Sequence, residues 1–406
     1  MDNQMKNFME IIRYAIHNNS GDELPNLLEP VDWDELENIF RQHNLFAIFH
    51  EVASKFPEYK KLPRYNENAC FMLLMVGQQI KRTDEFLQLY QDFLKEDLHP
   101  IVMKGIICRQ LYGKSAEQRP SGDEDIYVRK DEFFKVKDVL EARGYVCEFE
   151  EVTEAQINQL QHITFSDAEN GYTIEVHANP MGHRNEMRSQ MNDYFENSFE
   201  RMRVEVIRDV PVNTFSHTEH FLYLIMHGVK HFVEGGVGVR QMLDILMYQE
   251  IYGDQIDWKE MREALEDTHT AGFLGDMQYI GRKYLGFELD VCFEEVCPDV
   301  LLQDMLMAGV FGKKDRDDTV AASITMEVLN HKSRGLYAWF RAGFPSRKLM
   351  VDAYPYLEEK PWMLPIEWVK RWARFIKKAG KHDGNLLMDG LRKSRERMKM
   401  MDKYGL

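Results

Sequence analysis

Residues 162–177 carry the pattern that most restricts the fold. His162-Ile163-Thr164-Phe165-Ser166 and Tyr172-Thr173-Ile174-Glu175-Val176-His177 are joined through Glu169-Asn170-Gly171. Asn-Gly accepts the positive backbone angles of a tight turn, so two alternating runs around it predict an antiparallel hairpin. Side chains alternate along a strand, which puts Tyr172, Ile174 and Val176 on one face and Thr173, Glu175 and His177 on the other. The apolar set is expected to pack on helices and the polar set to look out of the sheet.

Around that hairpin the hydrophobic period changes along the chain. Asp32 to Phe40 opens with capping-type acids and has apolar residues at helical spacing, as does Phe71 to Leu94. After Pro100, Ile101-Val102-Met103 reads as a short buried strand, followed by a helical run from Ile106 to Tyr112. Residues 124–128 predict a second strand, Asp131 to Arg143 a helix stopped by Gly144, and Tyr145 to Phe149 a third strand. A short helix is expected from Thr153. The expected division is a helical region over 1–99, a mixed core of about five strands over 100–180 and a helical domain over 181–335. An aromatic and basic helical segment over 336–406 completes it. Within 181–335, residues 204–212 read as a possible β-ribbon and Ser216 or Thr218 as the cap of a helix to about Phe232. The stretch 312–335 reads as polar and mobile.

The second strand has acids at its mouth, in Arg119-Pro120-Ser121-Gly122-Asp123-Glu124-Asp125-Ile126-Tyr127-Val128. Asp123 and Asp125 leave the same face about 7 Å apart by the rise per residue. Two such carboxylates repel and lose solvation together, an arrangement that calls for a cation. Glu175, on the polar face of the hairpin, is a third acid able to face the same cleft. A few oxygen ligands of this kind suit Mg²⁺, which keeps several waters and takes substrate phosphates as further ligands. The plainer alternative is a solvated acidic turn.

Pro100-Ile101-Val102-Met103-Lys104-Gly105, the Gly122-Asp123-Glu124-Asp125 stretch and Ile174-Glu175-Val176-His177 together resemble the polymerase-beta-type nucleotidyltransferase superfamily. The resemblance is to its branch of uncharacterised bacterial nucleotidyltransferases, and it also touches His227-Gly228-Val229-Lys230-His231, Arg240 and Asp244. It implies an α+β fold, a small mixed β-sheet nucleotidyltransferase core flanked by mostly α-helical N- and C-terminal regions. It further implies transfer of an NMP group from an NTP such as ATP to an acceptor hydroxyl, with two Mg²⁺ ions. Asp123, Asp125 and Glu175 would hold the metal, and Glu175 could instead serve as general base. Gly105 would admit the phosphates to the backbone at the start of the next helix, Lys104 would add a point charge, and Arg119, Ser121 and Gly122 would complete the nucleotide side. The superfamily motif usually ends Gly-Gly or Gly-Ser, whereas Ile106 follows Gly105 here. A nucleotide- or partner-binding protein of the same fold without turnover is the alternative. The acceptor, a small molecule or a protein, is not indicated.

Other features have more ordinary readings. Arg119 could grip a phosphate or lock Asp123 in an ion pair. His227, Lys230, His231, Arg240 and Asp244 could line the cleft, or form a polar network between helices. The five cysteines are scattered and read as free thiols of a reducing compartment. A net charge of −16 argues against nucleic-acid binding by the whole surface. The basic, Trp-containing end (Trp368, Lys370, Arg371, Trp372, Arg374, Lys377, Lys378) leaves RNA or a membrane surface open, with a solvated face as the simpler account. No apolar run approaches the roughly 20 residues of a membrane span, and the N-terminus lacks a signal-peptide core, so the expected location is cytoplasmic.

Overall fold

The computed structural model describes residues 2–17, 25–183, 186–234 and 236–308. Beyond these it describes 344, 346–347, 350, 354–357, 360–379 and 399–405. The expected polar segment 312–335 and most of the basic end lie outside the described residues, as do the side chains of Trp372, Arg374, Lys377 and Lys378.

A mixed sheet organises the chain. Its strands are β1 (Ile101–Val102), β2 (Asp123–Tyr127), β3 (Tyr145–Cys147), β4 (Ile163–Asp167), β5 (Thr173–His177), β6 (Arg203–Ile207) and β7 (Val210–Thr214). They form a seven-stranded sheet in the order β3-β4-β5-β2-β1-β7-β6. The Asn-Gly hairpin forms as the sequence predicts, with Phe165 opposite Ile174 and Ser166 opposite Thr173. Its turn is closed by Asp167, whose carboxylate accepts from the Glu169 and Asn170 amides.

The sheet does not stop at residue 180. The ribbon of β6 and β7 joins it through parallel pairing of Val102 with Thr214, and the Thr214 hydroxyl donates to the Val102 carbonyl at 2.6 Å. The expected boundary at 180 therefore cuts through one sheet, since β6 and β7 follow it in the chain and pair onto β1.

One face of the sheet is dry. Ile126, Ile174 and Val176 pack there with Phe86, Tyr90 and Phe93 of the helix Tyr65–Lys95 and with Phe133, Val136 and Leu140 of the helix Phe133–Ala142. Burying such side chains contributes about 1.5–3 kcal/mol each. Tyr90 also ties the layers together, donating to the Pro100 carbonyl at 2.8 Å and accepting from the Asn213 amide at 2.8 Å.

A second core is helical. It gathers Phe8, Phe40 and Phe49 from the N-terminal helices with Tyr223, Met226, Leu243 and Leu246 from the helices His217–Glu234 and Val239–Tyr252. Asp32 caps the helix Trp33–Gln42 through the Asp34 and Glu35 amides, and Thr153 forms a capping box with Gln156. Ser216, the residue before His217–Glu234, exchanges hydrogen bonds with Glu219, while Thr218 accepts from the Asp257 amide instead. No helix among the described residues is long and apolar enough to cross a membrane. All five cysteines are free.

Candidate functional site

The parallel pairing of β2 with β5 sets Asp123 opposite Thr173, Asp125 opposite Glu175 and Tyr127 opposite His177. Alternation turns Asp123, Asp125, Glu175 and His177 to the face away from Ile126 and Val176. Ligand oxygens of Asp123, Asp125 and Glu175 come within 4.8 Å of one another, close enough to share one cation. Asp123 and Glu175 are half-buried, while Asp125 is 1% exposed.

Asp125 is the most heavily engaged of the acids. His177 Nε2 donates to its Oδ1 at 3.0 Å, and the Lys104 ammonium stands 3.1 Å from Oδ2. Glu175 Oε2 lies 3.2 Å from His162 Nδ1 and 3.7 Å from His177 Nε2. Burial works against ionising Glu175, but the hydrogen bond to His177 and the charges of His162, His177 and Lys104 outweigh it and hold the carboxyl down at about 2. Burial opposes the charged form of Lys104 as well, yet Asp125, Asp123 and Glu175 keep its ammonium protonated. For His162 burial prevails and lowers it to about 4, so its imidazole is neutral at pH 7.

Lys104 extends the site to the helix His217–Glu234. Its Nζ donates to His227 Nε2 at 3.3 Å, and His231 Nε2 lies 3.2 Å from the same nitrogen. An ammonium can only donate, so His227 Nε2 accepts and His231 carries its proton on Nε2. Burial, reinforced by nearby cations, pushes both histidines well below their ordinary range.

Arg119 has a different partner from the one expected. Its Nε donates to Asp244 Oδ1 at 2.8 Å and its terminal nitrogen to Oδ2, so the guanidinium locks onto the helix Val239–Tyr252 and not onto Asp123. Tyr112 donates to the same carboxylate at 3.0 Å, and Arg240 donates to the Pro120 carbonyl at 2.7 Å. Arg119, Arg240 and Asp244 thus form an interhelical network that holds the strand approach from behind. Ser121 shapes the turn from within, donating from its hydroxyl to the Asp123 carbonyl at 2.6 Å, and its amide donates to Gln79 at 2.8 Å. The Gly122 carbonyl accepts from Thr173 at 3.4 Å.

Gly105 departs from its expected surroundings. A Cβ there would overlap the Glu124 carboxylate, and φ is +60°. Glu124 lies on the dry face of β2, accepts from the Ile106 amide at 2.7 Å and takes Arg109 at 2.7 Å. An internal carboxylate therefore occupies the helix start where a phosphate was expected. Sequence reasoning passed over Glu124, Arg109 and His162. A charged residue at an apolar position of an alternating strand signals the first pair, and the hairpin register, which sets His162 across from His177, signals the last.

A family model described as an uncharacterised nucleotidyltransferase matches residues 29–286. No curated protein and no solved structure matches the chain.

Proposed function

The chain belongs to that nucleotidyltransferase family, and on this premise we propose that it moves an NMP group from an NTP to an acceptor hydroxyl in a Mg²⁺-dependent reaction. The acceptor oxygen would bond to the α-phosphorus and give up its proton to solvent, while the bond to the bridging oxygen breaks and pyrophosphate leaves. The observation that carries the reading is the convergence of Asp123, Asp125 and Glu175 across the β2–β5 register. Three carboxylates whose ligand oxygens converge fit a hard divalent cation, with the Lys104 ammonium at Asp125 Oδ2 already holding a positive charge at that place.

Mg²⁺ bound there would neutralise triphosphate charge and acidify the attacking hydroxyl. The chain's own groups supply position. Asp123 and Asp125 would fix the nucleotide side, with Gly122 and Ser121 keeping the turn open to it. Lys104 holds its charge beside Asp125, within reach of an incoming phosphate. Glu175, ionised down to about pH 2, serves as a ligand in preference to a base, since an efficient base titrates near the working pH. Arg119 and Gly105 act through positioning, given their bonds to Asp244 and their space for Glu124. The acceptor hydroxyl would belong to a small molecule, a protein or a nucleic-acid end.

Glu124 on the Ile106 amide favours a second reading, a binder that holds nucleotide without turning it over. Incubation of the full chain with Mg²⁺ and each α-labelled NTP, with pyrophosphate release as readout, separates the two. Turnover that disappears in Asp123→Asn supports transfer. Binding without pyrophosphate supports the second reading, and turnover retained in Asp123→Asn removes the assignment of the acids.

A further inference from the structure

A second cluster overlaps the three acids at Glu175 and adds two imidazoles to it. His162 immediately precedes β4, and the hairpin register places it across from His177 with the rings 5.2 Å apart. One ligand atom from each of His162, Glu175 and His177 lies within 4.8 Å of the others. His177 is 1% exposed, and the buried His162 Nδ1 has Glu175 Oε2 3.2 Å away and no well-aligned hydrogen-bond partner among the described residues. Two electron-rich atoms face each other there at a distance where a shared proton or a cation is required.

The spacings accommodate a cation. His177 Nε2 to Glu175 Oε2 is 3.7 Å, and Glu175 Oε2 to His162 Nδ1 is 3.2 Å. Ligands on a tetrahedral Zn²⁺ with bonds of about 2.0–2.1 Å are separated by about 3.3–3.4 Å, which these values bracket. Two imidazoles select a borderline transition cation over Mg²⁺, whose preference is for oxygen.

We propose that His162, Glu175 and His177 form a three-residue binding site for a divalent transition cation of the Zn²⁺ class, with the fourth position left to a water. Binding releases the proton that His177 now shares with Asp125, as metal ligation by imidazole requires the free lone pair. The site stands on these side chains whether or not the chain transfers a nucleotide. It would tie the start of β4 to the end of β5 at the edge of the acidic cleft.

The test uses the full chain titrated with Zn²⁺ in excess Mg²⁺, and with Co²⁺ as a spectroscopic substitute. The expected result is one tightly held equivalent with the intense visible absorption of tetrahedral Co²⁺. His162→Gln should abolish that band and weaken Zn²⁺ binding at least tenfold, since loss of an outer-shell partner alone costs 10–100-fold. Asp123→Asn should keep both. A pale, octahedral spectrum overturns the proposal, as does an intense band that survives His162→Gln. Should that variant fail to fold, the wild-type spectrum still decides between nitrogen-containing and all-oxygen ligation.

Discussion

Arg119 and Asp244 meet through two hydrogen bonds across 125 residues of sequence, one of them 2.8 Å long. Both side chains are only 6% exposed, so each charge depends on the other for its solvation. Asp244→Ala leaves a buried guanidinium unpaired and should cost about 3–5 kcal/mol in denaturant unfolding. The double variant Arg119→Leu/Asp244→Leu should recover part of that loss. Equal losses in single and double variants would show that packing and not charge sets the cost.

Gly105 and Gly113 provide a paired comparison. Both have positive φ, +60° and +54°, but a side chain at 113 meets nothing within 4 Å whereas one at 105 meets Glu124. Gly113→Ala should therefore cost about 1–2 kcal/mol for backbone strain alone. Gly105→Ala should cost clearly more, because the buried Glu124–Arg109 pair must also move. Similar melting temperatures for the two variants would remove the packing role assigned to Gly105.

The difference between these glycines marks how far the sequence could be read. Local signals were legible: Asn170-Gly171 fixed the hairpin, Asp32 and Thr153 the helix starts, and strand alternation the separate faces of Asp125 and Ile126. What one strand does to another was less visible. Nothing near Arg119 points to Asp244, and nothing near Gly105 points to a carboxylate turned inward from β2. Likewise the seventh strand had no local sign that it would pair with Val102. The three acids could be named because alternation alone puts two of them together, and the third needed only the polar face of β5.

Lys104 is a cation already standing among the acids, 3.1 Å from Asp125. Lys104→Met should lower the melting temperature without added metal, since Asp125 then keeps, among the described residues, only the hydrogen bond from His177. Added Mg²⁺ should stabilise that variant more than the wild type, because a ligand that binds only the folded state stabilises it in proportion to its affinity. An equal Mg²⁺ shift in both proteins would show that the ammonium and the cation do not compete for the same carboxylate.

Buried histidines set an acid limit. Burial lowers His43 to about 4, and His217 is lowered to about 4 by burial and then by Arg203. The unfolded chain takes up these protons near pH 6.5 and the folded chain does not, so stability is complete above 6.5 and falls as pH drops toward 4. For His43 alone this amounts to on the order of 3 kcal/mol. His43→Phe, which can keep the contact with Phe8 at 5.1 Å, should flatten the melting-temperature profile between pH 6.5 and 4. An unchanged slope would place the acid sensitivity elsewhere.

The position of β1 bears on how the chain is made. Its two residues pair with β2 on one side, but the other side must wait for Val210–Thr214, more than a hundred residues downstream. During synthesis the N-terminal part of the sheet therefore emerges with a raw edge, open to pairing with a neighbouring nascent chain. The helix Tyr65–Lys95 can cover the dry face early, but it cannot close that edge. A ribosome-bound chain truncated before residue 210 should be the aggregation-prone form, and passage of Val210–Thr214 out of the exit tunnel the moment at which that edge closes.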